Sequence, residues 1–177
     1  MASAETINVL VVIDTEYLKK NYPNPSKDPK HPTGVNHHSQ FMICTDPRGP
    51  VSGQGTADLS FPANVGDFVS FRGTSIYQNS DDAVIVYGIK YWKGDNVFNN
   101  FVTNMVTLEG AAQPDPNSSD GLPAKKVSQS FLSLDSKIRN AGTENFYVYI
   151  AVYTMDNTGE NQELFGYFYW DPQVVVK

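Results

Sequence analysis

Near the end of this chain runs a segment whose two faces are both built to be covered. Along Phe146 to Thr154, the residues Phe146, Val148, Ile150 and Val152 alternate with Tyr147, Tyr149, Ala151 and Tyr153. Side chains alternate between the faces of a strand, so a strand bordering water reads apolar on one side and polar on the other. This one has no plainly polar side. The pattern returns in Ala83 to Trp92, with Val84 and Val86 on one side and Ile85, Tyr87, Ile89 and Tyr91 on the other, and again in Leu164 to Trp170 with Phe165, Tyr167 and Tyr169. If these strands are neighbours, their second face is a sheet of tyrosines. Two coverings satisfy it: the protein's own long loops, or another chain, since tyrosine joins a large apolar ring to a hydroxyl that tolerates a wet rim.

The remainder of the sequence reads as more strands and long loops. Ile7 to Ile13 is a first strand, Phe41 to Thr45 a short one, and Ala57 to Phe61 and Asp67 to Tyr77 follow, separated by turn clusters such as Pro62-Ala63-Asn64-Val65-Gly66. From Glu16 to Gln40, Pro23, Pro25, Pro29 and Pro32 each lack a backbone donor and hold the preceding residue out of the helical region, which marks a long surface loop. Gly110 to Lys126 is a second loop. Only Lys125 to Asn140 hints at helix, through Val127, Phe131, Leu134 and Ile138 at helical spacing, and its serines equally favour a strand. Thirteen Asp against six Glu agrees with a turn-rich, β-rich chain. The expectation is one all-β domain over residues 1–177, an antiparallel, jelly-roll-like β-sandwich with long loops and at most one short helix.

Charge and cysteine content narrow the function. A net charge of −6 argues against nucleic acid or an anionic membrane as partner, because phosphate binding needs a basic surface. Cys44 is alone, which forbids an internal disulfide, a CxxC redox pair or a four-cysteine zinc site, and suits a reducing compartment. The apolar run Ile7 to Ile13 lacks a basic flank and is too short to span a bilayer, so the expectation is a cytoplasmic protein with no signal peptide and no membrane insertion.

Each candidate for chemistry stands on residue type alone. His37, His38, Ser39, Cys44 and Asp46 supply the groups of a hydrolase, but no serine sits in a GxSxG elbow, and no catalytic residue or cofactor is assigned. His31, His37 and His38 lack a metal-ligand spacing. Calcium takes loop carboxylates, and Asp81, Asp82, Asp156 and Glu160 are the candidates, in no EF-hand pattern. Trp92, Trp170 and Tyr77 offer flat faces on which a sugar stacks.

The strings INVLVVIDTEYL (7–18), YPNPSKDP and HPTG in the loop, SGQGTADLSF (52–61), VGDFVSFRGTSIYQNSDDAVIVYGI (65–89) and FYVYIAVYTMDNTGENQELFGYFYWDP (146–172) together resemble the AidA/PixA inclusion-body protein family. The likeness runs over nearly the whole chain and is strongest to the AidA members, which are under quorum-sensing control in host-associated bacteria. It implies an abundant bacterial protein without an established enzymatic activity, whose PixA relatives form cytoplasmic inclusions. Together with the tyrosine strands, it leads to a non-enzymatic homo-oligomer with Tyr87, Tyr147, Tyr149, Tyr167 and Tyr169 as self-association candidates. The rival expectation is a lectin-like or calcium-binding sandwich recognising host or cell-surface glycans.

Overall fold

In the computed structural model, which describes residues 3–177, the chain runs through β1 (Thr6–Ile13), α1 (Thr15–Asn21), β2 (Thr33–Gly34), β3 (Gln40–Cys44) and β4 (Leu59–Phe61). It continues through β5 (Phe68–Ser75), β6 (Ala83–Gly94), β7 (Val102–Gln113), β8 (Lys125–Lys137), β9 (Gly142–Met155), β10 (Gln162–Trp170) and β11 (Gln173–Val176). The strand with no plainly polar side, β9, organises one sheet. β6 pairs along one of its edges, while β10 and then β11 share the other, the chain continuing in the same direction through Asp171-Pro172 between them. β2 and β4 add outside β10 and β11. The second sheet has the order β3-β1-β5-β8-β7.

The sheets face each other across one hydrophobic cluster. From β9, Phe146, Val148, Ile150 and Val152 are all fully buried; Ile7, Val9, Val11 and Ile13 of β1 and Val69 and Phe71 of β5 oppose them. Phe71 meets Phe146 edge to face at 5.8 Å, an arrangement that aromatic quadrupoles favour.

The layered all-β expectation holds, and its antiparallel detail does not. β1 pairs with β5, β2 with β10 and β4 with β11 in parallel, so both sheets are mixed and the jelly-roll description does not carry over. The cause is the long excursion between β1 and β5, which carries α1, β2, β3 and β4 and is long enough to bring β5 back in the same direction as β1. The single helix is α1, inside the segment read as loop. Asp14 caps it by accepting from the Tyr17 N–H at 3.0 Å, Glu16 lies in its first turn and Lys19 and Lys20 in its last, the arrangement the helix dipole favours. The helix-spaced apolar residues of Lys125–Lys137 belong to a strand. The second loop persists over residues 114–124, and only its ends are strand, because β7 runs on to Gln113 and β8 starts at Lys125.

Two tertiary contacts hold the loops to this frame. Asp67, just before β5, is buried and accepts from the Arg48 guanidinium at 2.8 and 3.0 Å and from the backbone N–H groups of Glu5 and Asn64 at 2.9 and 2.7 Å. The Arg48 hydrogen bonds, helped by those backbone donors, hold this carboxyl far below the usual carboxylate range. On the other sheet the proline-rich loop lies over β10. The Tyr167 N–H donates to the Ser26 carbonyl at 2.9 Å, and the Lys27 ammonium donates to the Leu164 and Phe165 carbonyls at 2.9 and 2.6 Å. Gly166 permits that approach, because a Cβ there would collide with the Pro25 ring.

Arg48→Met leaves the Asp67 carboxylate buried without its countercharge and costs about 3 kcal/mol in urea unfolding at neutral pH. Because the folded pKa is depressed, Asp67 contributes its stability in full above its unfolded pKa of about 3.9 and loses it as pH falls towards the folded value. The deficit of the variant therefore shrinks below about pH 4, and a deficit that is constant from pH 7 to pH 3 contradicts the assignment. Gly166→Val costs about 1–3 kcal/mol and displaces the loop, read as faster tryptic cleavage after Lys27 and Lys30 at temperatures where the fold is intact.

Candidate functional site

The outer face of the β9 sheet gathers the tyrosines. Tyr147 and Tyr149 point outward from β9, Tyr167 and Tyr169 stand opposite Ala151 and Tyr149 on β10, and Tyr87 comes from β6 beside Gly88, where a bulge shifts the register. Ring centroids are 5.8 Å apart for Tyr87–Tyr149, 5.6 Å for Tyr87–Tyr167, 5.1 Å for Tyr147–Tyr169 and 6.4 Å for Tyr147–Tyr149. Trp92 extends the cluster by stacking on Tyr147 at 5.4 Å, and the Lys93 ammonium lies 4.1 Å from the Trp92 centroid. All five tyrosines singled out from the sequence thus share one surface.

Of the two coverings anticipated from the sequence, the protein's own loop is present on that surface. The proline-rich loop claims one end: the Tyr87 phenol donates to the Pro29 carbonyl at 2.9 Å, Tyr167 sits under Ser26, and the Tyr169 ring occupies the space that a Cβ on Gly34 would need, 2.9 Å from its hydroxyl. Between the loop and the sheet lies a groove of about 580 Å³ lined by Pro29, Lys30, His31, Pro32, Tyr87, Gly88, Tyr147, Tyr149 and Tyr169. Beyond the loop, exposed Trp92 borders half-buried Tyr147, whereas Tyr91 stands opposite inward-pointing Phe146, because the bulge at Val86/Gly88 moves it off the face that the alternation of β6 implied.

The face is aromatic, with Lys30, His31 and Lys93 beside its rings. Burial, followed by the neighbouring Tyr149 and Tyr167, pushes the Tyr87 phenol up to about 12, and burial also raises Tyr149. Both stay protonated at physiological pH, so the surface offers stacking and hydroxyl hydrogen bonds and no tyrosinate base.

The other candidates are dispersed. Asp82 is buried, accepting from Thr15 Oγ1 at 2.7 Å and from the Lys19 ammonium at 2.8 Å, and so ties α1 to the start of β6. Asp81 accepts from Ser80 Oγ. Asp156 closes its own turn on Thr158, Glu160 and Asn161, and the Thr158 hydroxyl foremost holds its carboxyl well below the usual range. Glu160 is exposed in that turn. Among the described residues no group of three or more His, Cys, Asp or Glu side chains is placed to hold a metal ion. His31 pairs with Asp28 at 2.7 Å, His37 with Asp171 at 3.3 Å and His38 with the Tyr17 hydroxyl at 3.1 Å, while Ser39 is buried against Gln40. Burial, then Asp46, pushes the Cys44 thiol up to about 11, which leaves it a poor nucleophile at neutral pH. Trp170 is fully buried in the core and offers no face to a sugar; Tyr77 bonds Glu16 at 3.1 Å.

The hairpin of β7 and β8 is the surface feature that sequence reasoning missed. β7 is exposed along nearly its whole length, so its sequence VTNMVTLEGAAQ shows no amphipathic alternation to mark it. The signal available was the charge-free, β-branched run Val102–Leu108.

No helix among the described residues is long and apolar enough to cross a membrane. Comparison with curated proteins finds no match. Among solved structures, the crystal structure of an inclusion body protein of the PixA family from Burkholderia cenocepacia J2315 is similar, with a TM-score of 0.80 at 33% sequence identity over 99% of this chain and 98% of that one. The family described as PixA, inclusion body protein, matches residues 5–176. With that match over nearly the whole length, the chain belongs to the PixA inclusion body protein family.

Proposed function

We propose that this protein is a non-enzymatic, self-associating member of its family, made in quantity under quorum-sensing control and packed in the cytoplasm through β-sheet surfaces. The observation that carries the reading is the aromatic face of the β9 sheet, where the loop leaves Tyr147 half-buried and Trp92 bordering solvent. Tyrosine rings with hydroxyl rims carry no charge of their own and pack readily against a second copy of the same surface. The family membership supports deposition, and the resemblance to AidA members supports the regulation. The reading assigns no catalytic step, since His37, His38 and Ser39 are each held by separate partners.

A lectin-like module is the second reading, drawn from the groove of about 580 Å³ in which tyrosine rings and the Pro29–Pro32 loop form an aromatic wall. It calls for a sugar stacked on Tyr147 or Tyr149 and needs no calcium at Asp81, Asp82, Asp156 or Glu160.

Sedimentation equilibrium separates the two. Self-association predicts a mass that rises with protein concentration and falls when Tyr147 and Tyr149 are both replaced by Ser, measured at a temperature where circular dichroism shows the variant folded. A monomer at every concentration, together with retention on a glycan array that Tyr149→Ser abolishes, favours the lectin reading and overturns the first.

A further inference from the structure

Sheet edges present unpaired backbone groups, and proteins blunt them with lysines, prolines, bulges or covering loops. Two of the long edges in this molecule are treated that way. The edge at β3 is covered: the Met42 N–H donates to the Thr56 carbonyl at 2.8 Å, and the Gln54 amide both accepts from the Cys44 N–H and donates to its carbonyl at 2.8 Å. The edge at β6 has two bulges, at Val86/Gly88 and Tyr91/Lys93, and carries Lys90 and Lys93. β7 differs. Its only partner among the described residues is β8, its single bulge lies beyond Leu108, and the run Val102–Leu108 contains no charge, no proline and no glycine. Short runs of that composition, rich in β-branched residues, are the ones that pair with identical strands.

The surroundings of the run add to this. β5 pairs with β8 only from Leu134 to Lys137, so from Ser133 to the tip β7 and β8 form a two-stranded ribbon, which is marginally stable by itself in water. On its outer face Val106 stands opposite Phe131, with Val102 and Leu108 in the same row, all of them exposed; on the other face Met105 is 66% exposed.

We propose that β7 pairs antiparallel with β7 of a second copy of this chain, about a two-fold axis through Met105. The occupant is a second copy because the run is complementary to its own reverse. Centred on Met105, Val102 faces Leu108 of the other copy, Thr103 faces Thr107 and Asn104 faces Val106. Apolar–apolar and Thr–Thr pairs directly opposite one another each stabilise a sheet. The paired edge joins the sheets of the two copies into one continuous sheet, β3-β1-β5-β8-β7 followed by its mirror order. The run spans roughly 24 Å, which makes this a small, reversible contact of the weak class rather than a permanent dimer interface.

The inference rests on the self-association reading and extends it. A two-fold contact closes on itself at the dimer, so deposition needs a second, different contact. The aromatic face belongs to the other sheet and leaves the β7 edge free to pair, and the two contacts together propagate.

Cysteine placement tests the register. In a Cys44→Ser background, Met105→Cys sits on the axis, where directly opposite Cα atoms lie about 4.5–5.5 Å apart, within reach of a disulfide. Mild oxidation is expected to link Met105→Cys into dimers at least tenfold faster than Val65→Cys, an exposed loop position. Thr103→Cys links slowly alone and fast when combined with Thr107→Cys. Met105→Lys, at an exposed site that leaves the fold intact, places like charges on the axis and weakens dimerisation by about tenfold or more. Equal rates for Met105→Cys and Val65→Cys, in a wild-type protein that does associate by sedimentation, overturn the edge contact and leave the self-association reading standing. A wild-type monomer at every concentration overturns both.

Discussion

The full burial of one face of β9, with aromatic rings on the other, is the constraint from which the remaining architecture follows. Its inner residues, Phe146, Val148, Ile150 and Val152, are fully buried against the other sheet. A strand fixed in this way cannot slip by one residue, because a slip would send four buried apolar side chains outward and bring tyrosine rings into the core. With its register set, β9 pairs β6 on one edge and β10 and β11 in turn on the other. Its tyrosines are thereby committed to the opposite side, where the proline-rich loop covers some of them and leaves others bordering water.

The legible part of this fold was the part in which local pattern and tertiary role agree. The strands β6, β9 and β10 announce themselves by apolar and aromatic residues on both faces of their central stretches, and the five tyrosines they place on one surface could be named from alternation alone. The direction of pairing could not. β1 and β5 lie parallel because more than fifty residues separate them, and nothing local in either strand encodes that partnership. α1 was hidden by brevity: Asp14 as cap, Glu16 early and Lys19 and Lys20 late are readable signals, but a seven-residue helix is too short to show periodicity next to four prolines. β8 carries apolar residues at helical spacing and is nonetheless a strand, because pairing with β5 and β7 outweighs a weak local preference.

The polar residues that attracted attention as possible chemistry serve the scaffold. Asp82 ties the helix to β6, and Asp156 closes the turn between β9 and β10. Asp and Asn in a loop-rich β protein are recruited first to satisfy backbone donors, which is why residue type alone could not distinguish a turn carboxylate from a ligand. Two surface features among the described residues stand out instead: the aromatic face of the β9 sheet and the uncharged run of β7. The self-association proposed above rests on these two features.

Amide hydrogen exchange measured at low and at high protein concentration tests that account most directly. The account predicts slow exchange in the core of β9, around Ile150 to Val152, at both concentrations, and protection of Val102–Leu108 that appears only as the concentration rises. Protection of that run that is equal at both concentrations contradicts it, because the β7 edge is then not completed by another copy.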